Sequence, residues 1–445
     1  MPMRRRSFIK YASLAAAGNI AGLRPFGALN SLAQTGSGYK ALVCVFLFGG
    51  NDANNTVIPY DTKGYANYAS IRGPIALAQN TLLPLTPLPN FALHPSLVEV
   101  QSLFNSGVAG LVANVGTLTQ PITRAQYLAG VTVPTNLFSH PDQQQEWQNA
   151  AASGATPTGW AGRVSDALAG SYNAGATIPM ITSVAGDTTF CNGVSTTPVS
   201  VSPGNVGGAS CSESSSVCAS RQATAQTLIT MNSGVSLVTA DNAITSNAFS
   251  YSSVLTAATT GVTPLKTVFP AGAFGAQLQQ VAEIIQVRAA LGVQRQIFFV
   301  GAGNFDTHSD QLALQSTLLS GLSPALLAFY QATQEMGIAN EITTFTMSDF
   351  ARTFQPNSNT GSDHAWGSHH IVLGGAVNGG KMYGTFPTLT LGGPDDSGSN
   401  GRWVPSTGIV QYASTLAQWF GVPVSQLASV FPNIGAFPTN NLGFV

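Results

Sequence analysis

The chain has 445 residues, of which 44% are hydrophobic and only 8% are charged, and its formal net charge is −1. This hydrophobic fraction is sufficient to build a core, so the composition does not indicate a disordered protein. Residues 1–33 contain five basic residues and no acidic ones, which leaves 12 basic against 18 acidic residues in the remainder. Such a remainder offers no basic face to neutralise phosphates, which excludes nucleic acid as a partner.

The N-terminus has the pattern of a twin-arginine (Tat) export signal. The sequence RRSFIK at 5–10 is followed by an Ala/Gly-rich apolar stretch that is too short to span a bilayer. The small-x-small sequence SLA then predicts cleavage after residue 33, whereas the alternative is an uncut N-terminal anchor. We therefore predict export by the Tat translocase, a periplasmic or secreted location, and no stable transmembrane segment in residues 34–445.

The four cysteines fall into two groups. Cys44 lies in a continuous apolar run and is predicted to be a buried thiol. Cys191, Cys211 and Cys218 lie in a polar segment, and export would permit their oxidation. We expect one disulfide among these three, with the pair left open. Their spacing lacks the C-x-x-C pairs of a structural zinc site.

The predicted elements alternate between helices and strands. The apolar run 41–48 predicts a central strand buried on both faces, which is typical of a parallel sheet. Further strands are predicted over 108–115, 296–300 and 342–347, and helices over 97–104, 142–149 (with Ser139 as N-cap), 274–291, 312–336 and 409–420. This order predicts one α/β domain over residues 34–445, with a mainly parallel sheet flanked by helices. The Ser/Gly/Cys-rich segment 192–220 is predicted to be a surface loop insertion.

Four of the six histidines lie between residues 308 and 370, near aspartates that follow predicted strands. NFDTHSD places Asp306 two residues from His308, and GSDHAWGSHH adds a second group: Asp363, His364, His369 and His370. The carboxyl ends of parallel strands meet at one sheet edge, so we expect these residues to lie there together with Asp52 and Asp349.

The residue types of this set predict a metal site. Carboxylates and imidazoles favour zinc, manganese or iron over a thiolate-preferring metal, with calcium also left open. Their number is sufficient for one or two divalent ions.

Structural roles remain open for several of these residues. Asp52 could form an Asx-turn after Gly-Gly, and Asp349 could cap the segment that carries Arg352. His369 and His370 are adjacent and cannot easily serve one ion together, so one of them is expected to lie outside the ligand shell. His94, in an LHP sequence ahead of a helix, is predicted to be structural.

Five ordered motifs resemble the DUF1501 family, which is grouped with the alkaline phosphatase/sulfatase-like superfamily: GGNDANN, FDTHSDQ, SDFARTFQPN, GSDHAWGSHHIVLGGAVNGGKMYG and QYASTLAQWFGV. The resemblance covers essentially the whole mature chain. It implies an alkaline-phosphatase-like fold with two metals held by Asp and His. It also implies ligand roles for Asp52, Asp306 and His308, for either Asp349 or Asp363-His364, and for His369 or His370.

The chain departs from the family pattern at three places: Asp349 stands where Glu is usual, Ala351 stands where Gly is usual, and DHAWG replaces DHGWG. No clear nucleophile is present, and the absent C-x-P-x-R signature disfavours a formylglycine sulfatase. Ser139, at a predicted helix N-terminus, is the candidate nucleophile.

These features predict an exported metal-dependent hydrolase of phosphoric or sulfuric esters, in which Arg352 binds an ester oxygen. The alternative is a non-catalytic envelope or surface structural protein that keeps the fold.

Overall fold

The computed structural model describes residues 38–151, 156–206, 215–231 and 234–445. The predicted export signal, its cleavage site and Cys211 lie outside the described residues. Lys40–Val445 form one compact unit.

The strands of the described residues build two sheets. The strands are β1 Lys40–Leu47, β2 Val57–Pro59, β3 Leu83–Pro84, β4 Phe91–Leu93, β5 Ala109–Gly116, β6 Ile181–Ser183, β7 Val199–Ser200, β8 Arg295–Ala302, β9 Ile342–Ser348, β10 Ser368–Leu373, β11 Met382–Tyr383 and β12 Thr407–Gly408. The large sheet has the order β11-β5-β10-β9-β1-β8-β6-β7, with β12 paired to β5, and the small sheet has the order β2-β4-β3. Among the described strands of the large sheet, β10 runs antiparallel to both of its neighbours and the other pairings are parallel. The predicted α/β class with a mostly parallel sheet is therefore confirmed.

Strand β1 occupies the centre of the large sheet because its side chains are apolar on both faces. It pairs in parallel with β8 and β9, and Cys44 lies opposite Phe299 on one side and Phe345 on the other. All residues from Ala41 to Leu47 are buried. The predicted central strand is confirmed.

The helices are α1 Thr62–Arg72, α2 Val98–Asn105, α3 Arg124–Leu128, α4 His140–Asn149, α5 Trp160–Tyr172, α6 Ser215–Ile229, α7 Ser236–Thr259, α8 Ala273–Gln286, α9 Gln311–Glu335, α10 Ile409–Phe420 and α11 Leu427–Val430. The five predicted helices correspond to α2, α4, α8, α9 and α10. Their ends differ from the prediction mainly in α8, which stops five residues earlier than its apolar spacing suggested.

Helices cover both faces of the large sheet. On one face, Trp160 of α5 and Tyr412 of α10 pack against Phe345 of β9, within a core that also contains Trp147 of α4. On the other face, α8 contacts β8 and packs against α9, which in turn packs on α2. This layering buries both faces of β1, as a continuous apolar strand requires.

Among the described residues, α9 is the one helix long and apolar enough to cross a membrane. It carries an internal proline, Pro324, and its buried positions include Leu322, Leu326 and Phe329. These positions belong to a helix that packs against two other helices, which is the environment of a core helix.

The segment 192–220 is not purely a loop, in contrast to the prediction. It contains β7 and the start of α6, and α6 packs against α7. These two helices are rich in Ser, Thr, Asn and Ala and expose most of their side chains, so the sequence lacks the amphipathic spacing that would have predicted them.

The cysteines differ in state. Cys44 and Cys191 are buried free thiols, whereas Cys218 is disulfide-bonded. Of the pairings that the sequence left open, those that include Cys191 are therefore excluded.

Candidate metal centre

Several chain segments meet at the carboxyl edge of the parallel strands. Gly49 and Gly50 follow β1, Asp306 follows β8, and Asp349 directly follows β9. The β1 turn passes very close to the β8 loop, since a Cβ atom at Gly49 would lie 2.5 Å from the Asp306 backbone nitrogen. Gly49 also has a φ of +114°, a conformation that side-chain-bearing residues rarely adopt. The GGND sequence therefore brings the ends of β1 and β8 together.

Three imidazoles converge on one carboxylate oxygen at this edge. Asp306 Oδ1 lies 3.5 Å from His140 Nε2, 3.0 Å from His308 Nε2 and 3.5 Å from His364 Nε2. Ligand atoms of His140, Asp306 and His364 all lie within 4.8 Å of one another, a group that could hold a metal ion. His308 lies next to this group, with its Nε2 3.0 Å from His364 Nε2.

The other ring nitrogen of each histidine faces an oxygen acceptor. His140 Nδ1 lies 2.7 Å from Asp349 Oδ2, and His308 Nδ1 lies 3.1 Å from Asp363 Oδ1. His364 Nδ1 lies 2.7 Å from the Phe138 carbonyl oxygen. Such acceptors at Nδ1 leave Nε2 as the ligand atom, which is the usual arrangement of histidines that bind metals. His308 differs from the other two in that its Nε2 also lies 3.4 Å from the Arg352 Nη1 donor.

Arg352 is fully buried behind this cluster and holds Asp306 in place. Its guanidinium donates to Asp306 Oδ1 and to the Gly49 carbonyl oxygen. It also donates to Gly50 O at 2.9 Å and to Ser362 O at 3.2 Å. Arg352 thus ties the ends of β1, β8 and the loop before β10 to one another.

The electrostatics of the cluster are set by these contacts. The hydrogen bond to Asp349 raises the pKa of His140, while burial lowers the pKa of His364. Burial opposes ionisation of Asp306, but the hydrogen bond and charge of Arg352 outweigh it, and the Asp306 pKa is lowered. Asp306 therefore remains a carboxylate at neutral pH.

The residues fit a divalent ion on two grounds. Ligand atoms about 2.0–2.1 Å from a tetrahedral ion lie roughly 3.3 Å apart, close to the separations found around Asp306 Oδ1. In addition, His140 Nε2 is buried and has no hydrogen-bond partner among the described residues. A cation between Asp306 and the histidines would be bound by that nitrogen. Without a partner, the buried nitrogen loses its hydrogen bond to water, which costs folding free energy.

Asp52 lies elsewhere, in a buried ion pair with Arg72 of α1. Asp52 Oδ1 accepts the Asn54 backbone N–H at 3.0 Å. Oδ2, which binds Arg72, also accepts a hydrogen bond from the Gln311 side-chain amide. Both charged side chains are fully buried. The residue implied as the first-strand metal ligand thus has a full set of protein partners outside the cluster.

His369 and His370 also lie outside the cluster, inside strand β10. Because β10 is antiparallel, its beginning and not its end lies at the site edge, so His364 is at the edge while these two are within the sheet. His369 stacks on Phe386, and His370 packs against Trp147. Burial lowers the pKa of each to about 3, which keeps both rings neutral.

Ser139 occupies the N-cap position of α4, as predicted, and is half-buried. Its hydroxyl oxygen lies 2.5 Å from Asp142 Oδ2 and makes no capping bond to the helix backbone. The predicted candidate nucleophile is therefore engaged by a carboxylate three residues further along the helix.

His140 is a ligand candidate that the sequence motifs did not indicate. It follows Ser139 at the start of α4, far in sequence from the histidines after residue 308. The one signal for it is the adjacent Pro141 and acidic Asp142, which place His140 at a helix N-terminus. Only the packing of α4 against the end of β9 brings it to Asp306.

The fold and this site define a mixed α/β protein with a histidine–aspartate cluster that could hold a metal ion. The chain belongs to the DUF1501 family, described as a protein of unknown function, whose model matches residues 39–395. No curated protein matches the sequence.

The solved structures with weak similarity to the chain include two of one protein. One, "Crystal structure of Ps i-CgsB", has 9% identity and a TM-score of 0.36, and the match covers 89% of this chain and 77% of that one. The same protein in complex with k-i-k-neocarrahexaose has 9% identity, the same coverage and a TM-score of 0.34. Similarity at this level supports no inference about fold or activity.

Proposed function

We propose that this chain is an exported metal-dependent hydrolase of phosphoric or sulfuric esters, with a fold of the alkaline phosphatase and sulfatase type. The observation that carries the proposal is the convergence of three Nε2 atoms on Asp306 Oδ1, with every Nδ1 held by an acceptor. A divalent ion bound there supplies a Lewis acid that polarises an ester oxygen and offsets negative charge in the transition state.

The chain's own residues have separate roles in this proposal. His140, His364 and Asp306 hold the ion, which leaves one position of a tetrahedral ion free for substrate, and Arg352 keeps Asp306 ionised and in place. Asp306 has 44% of its side chain exposed, so the centre is open to a substrate from solvent. Ser139 or a water molecule is the candidate nucleophile.

The test is a comparison of metal-loaded wild-type protein with Asp306→Asn on phosphomonoester, phosphodiester and sulfate-ester panels. We expect hydrolysis of at least one class by the wild type and its loss in the variant. Stoichiometric metal without activity on any class would refute ester hydrolysis. Export rests on residues 1–33, and Lys in place of Arg5 and Arg6 should keep the protein in the cytoplasm if the Tat pathway carries it.

The second candidate is a non-catalytic envelope protein, and two contacts favour it. The Ser139 hydroxyl is hydrogen-bonded to Asp142. The Arg352 donors all face protein acceptors, including His308 Nε2 at 3.4 Å, so the guanidinium has no direction left for an ester oxygen. This candidate predicts that the protein binds metal without turnover, and that assembly or surface association survives Asp306→Asn.

A further inference from the structure

Asp349 is fully buried beside the metal centre, but its oxygens are bound by protein donors. Oδ1 accepts the Gly49 backbone N–H at 3.0 Å. Oδ2 lies 2.7 Å from His140 Nδ1 and accepts Gln144 Nε2 at 2.8 Å. A carboxylate offers about four lone-pair sites, and three of them are occupied here.

These contacts determine the form of the His140 ring. A carboxylate only accepts hydrogen bonds, so His140 Nδ1 must carry the hydrogen in the contact with Oδ2. The neutral ring then has a bare Nε2, the atom that lies 3.5 Å from Asp306 Oδ1.

Helix α4 supplies both of the side-chain donors to Asp349 Oδ2. His140 and Gln144 are four residues apart, so they lie on the same face of the helix. Both donate to the same oxygen of Asp349, at the residue that directly follows β9. Asp349 therefore couples the position of the helix to the end of the strand.

We propose that Asp349 is a positioning residue of the metal centre, not a ligand: it holds His140 in the Nδ1–H form and directs Nε2 to Asp306. This inference rests on the proposed metal centre. It assigns one role to a residue for which the sequence left ligation and helix capping open.

A double-mutant cycle tests the inference with Zn²⁺ as the probe. The affinities of full-length wild type, Asp349→Asn, His140→Ala and the double variant are measured by competition with a chelating dye. An amide offers one oxygen, so Asn at 349 cannot satisfy both Gly49 N and His140 Nδ1. We expect Asp349→Asn to weaken Zn²⁺ binding by about 10–100-fold, the usual effect of losing an outer partner of a ligand.

In the His140→Ala background the same substitution should change the affinity by less than ~3-fold, because the group through which Asp349 acts is gone. Asp363→Asn is the matched control, since Asp363 contacts His308 and its effect should persist without His140. An equal loss from Asp349→Asn in both backgrounds would show direct ligation and overturn the inference.

A metal-independent measurement separates this inference from the proposed function. Histidine-selective ¹⁵N spectra of the metal-free wild type at alkaline pH report which ring nitrogen of His140 carries hydrogen. We expect Nδ1–H in the wild type and its loss in Asp349→Asn. Nε2–H in the wild type would overturn the inference even if Asp349→Asn does not fold, whereas absence of Zn²⁺ binding with Nδ1–H intact would refute only the metal centre.

Discussion

The Nε2 atoms of His308 and His364 lie 3.0 Å apart, and the Nδ1 atom of each ring faces an oxygen acceptor. With the one hydrogen of each neutral ring on Nδ1, both Nε2 atoms are acceptors that face each other, and His308 Nε2 also lies 3.4 Å from the Arg352 Nη1 donor. Asp306 adds a carboxylate oxygen at 3.0 Å from His308. A cation between these groups would turn a repulsive arrangement into a stabilising one.

Metal should therefore stabilise the folded protein through Asp306. With free Zn²⁺ at 100 times its Kd, a single site raises the free energy of unfolding by about 2.7 kcal/mol. We expect this gain in urea unfolding of the wild type and its loss in Asp306→Asn. Asp310→Asn is the matched control, because Asp310 is an exposed aspartate in the same loop. An undiminished gain in Asp306→Asn would place the ion elsewhere.

The buried pair Asp52–Arg72 should contribute to stability and not to metal binding. Arg72→Met leaves the Asp52 charge buried without its partner, which typically costs about 3–5 kcal/mol. Urea unfolding measures this loss, and Lys63→Ala, an exposed change in the same helix, should stay within about 0.5 kcal/mol. For Asp52→Asn we expect unchanged Zn²⁺ affinity in the folded fraction. A large loss of affinity would instead support Asp52 as a ligand.

Stability should fall in acid because of His370 and His94. Burial lowers the pKa of His370 to about 3 and of His94 to about 4. In the unfolded chain each of these histidines takes up a proton near pH 6.5, whereas in the folded protein it stays neutral. The stabilisation from the buried neutral rings is therefore complete above pH 6.5 and decreases as the pH falls towards the folded pKa.

The expected slope is about 1.4 kcal/mol per pH unit for each histidine. Replacing His370 by Gln should flatten the dependence of unfolding free energy on pH between 6.5 and about 3. His94→Gln should flatten it only between 6.5 and about 4. Parallel curves for wild type and His370→Gln would show that the ring is accessible to protons in the folded state.

Cysteine labelling should follow burial and bonding. Cys44 and Cys191 are buried and burial raises the pKa of both thiols, so the native protein should resist alkylation at these positions. After denaturation without reductant both should be labelled, whereas Cys218 should be labelled only after reduction. Peptide mass spectrometry distinguishes the sites, and labelling of Cys218 before reduction would contradict the assignment.

Much of the site was predictable because it depends on local order in the chain. Asp306 and His308 follow a strand whose apolar run is evident, and the carboxyl ends of parallel strands meet at one edge. The same reasoning located His364. It could not separate His364 from His369 and His370, because the antiparallel direction of β10 depends on which strands it pairs with.

Residue pattern by itself determined the α/β class, the central strand β1 and the family, and it pointed to Asp306, His308 and His364 among a larger set of candidates. These follow from side-chain periodicity and from motifs that are contiguous in the chain. Tertiary structure alone decided that His140 joins Asp306, that Asp52 pairs with Arg72 and that Asp349 faces His140. Each of these contacts joins segments separated in sequence, and their partners are set by the packing of α1 against β2 and of α4 against β9, for which no local pattern exists.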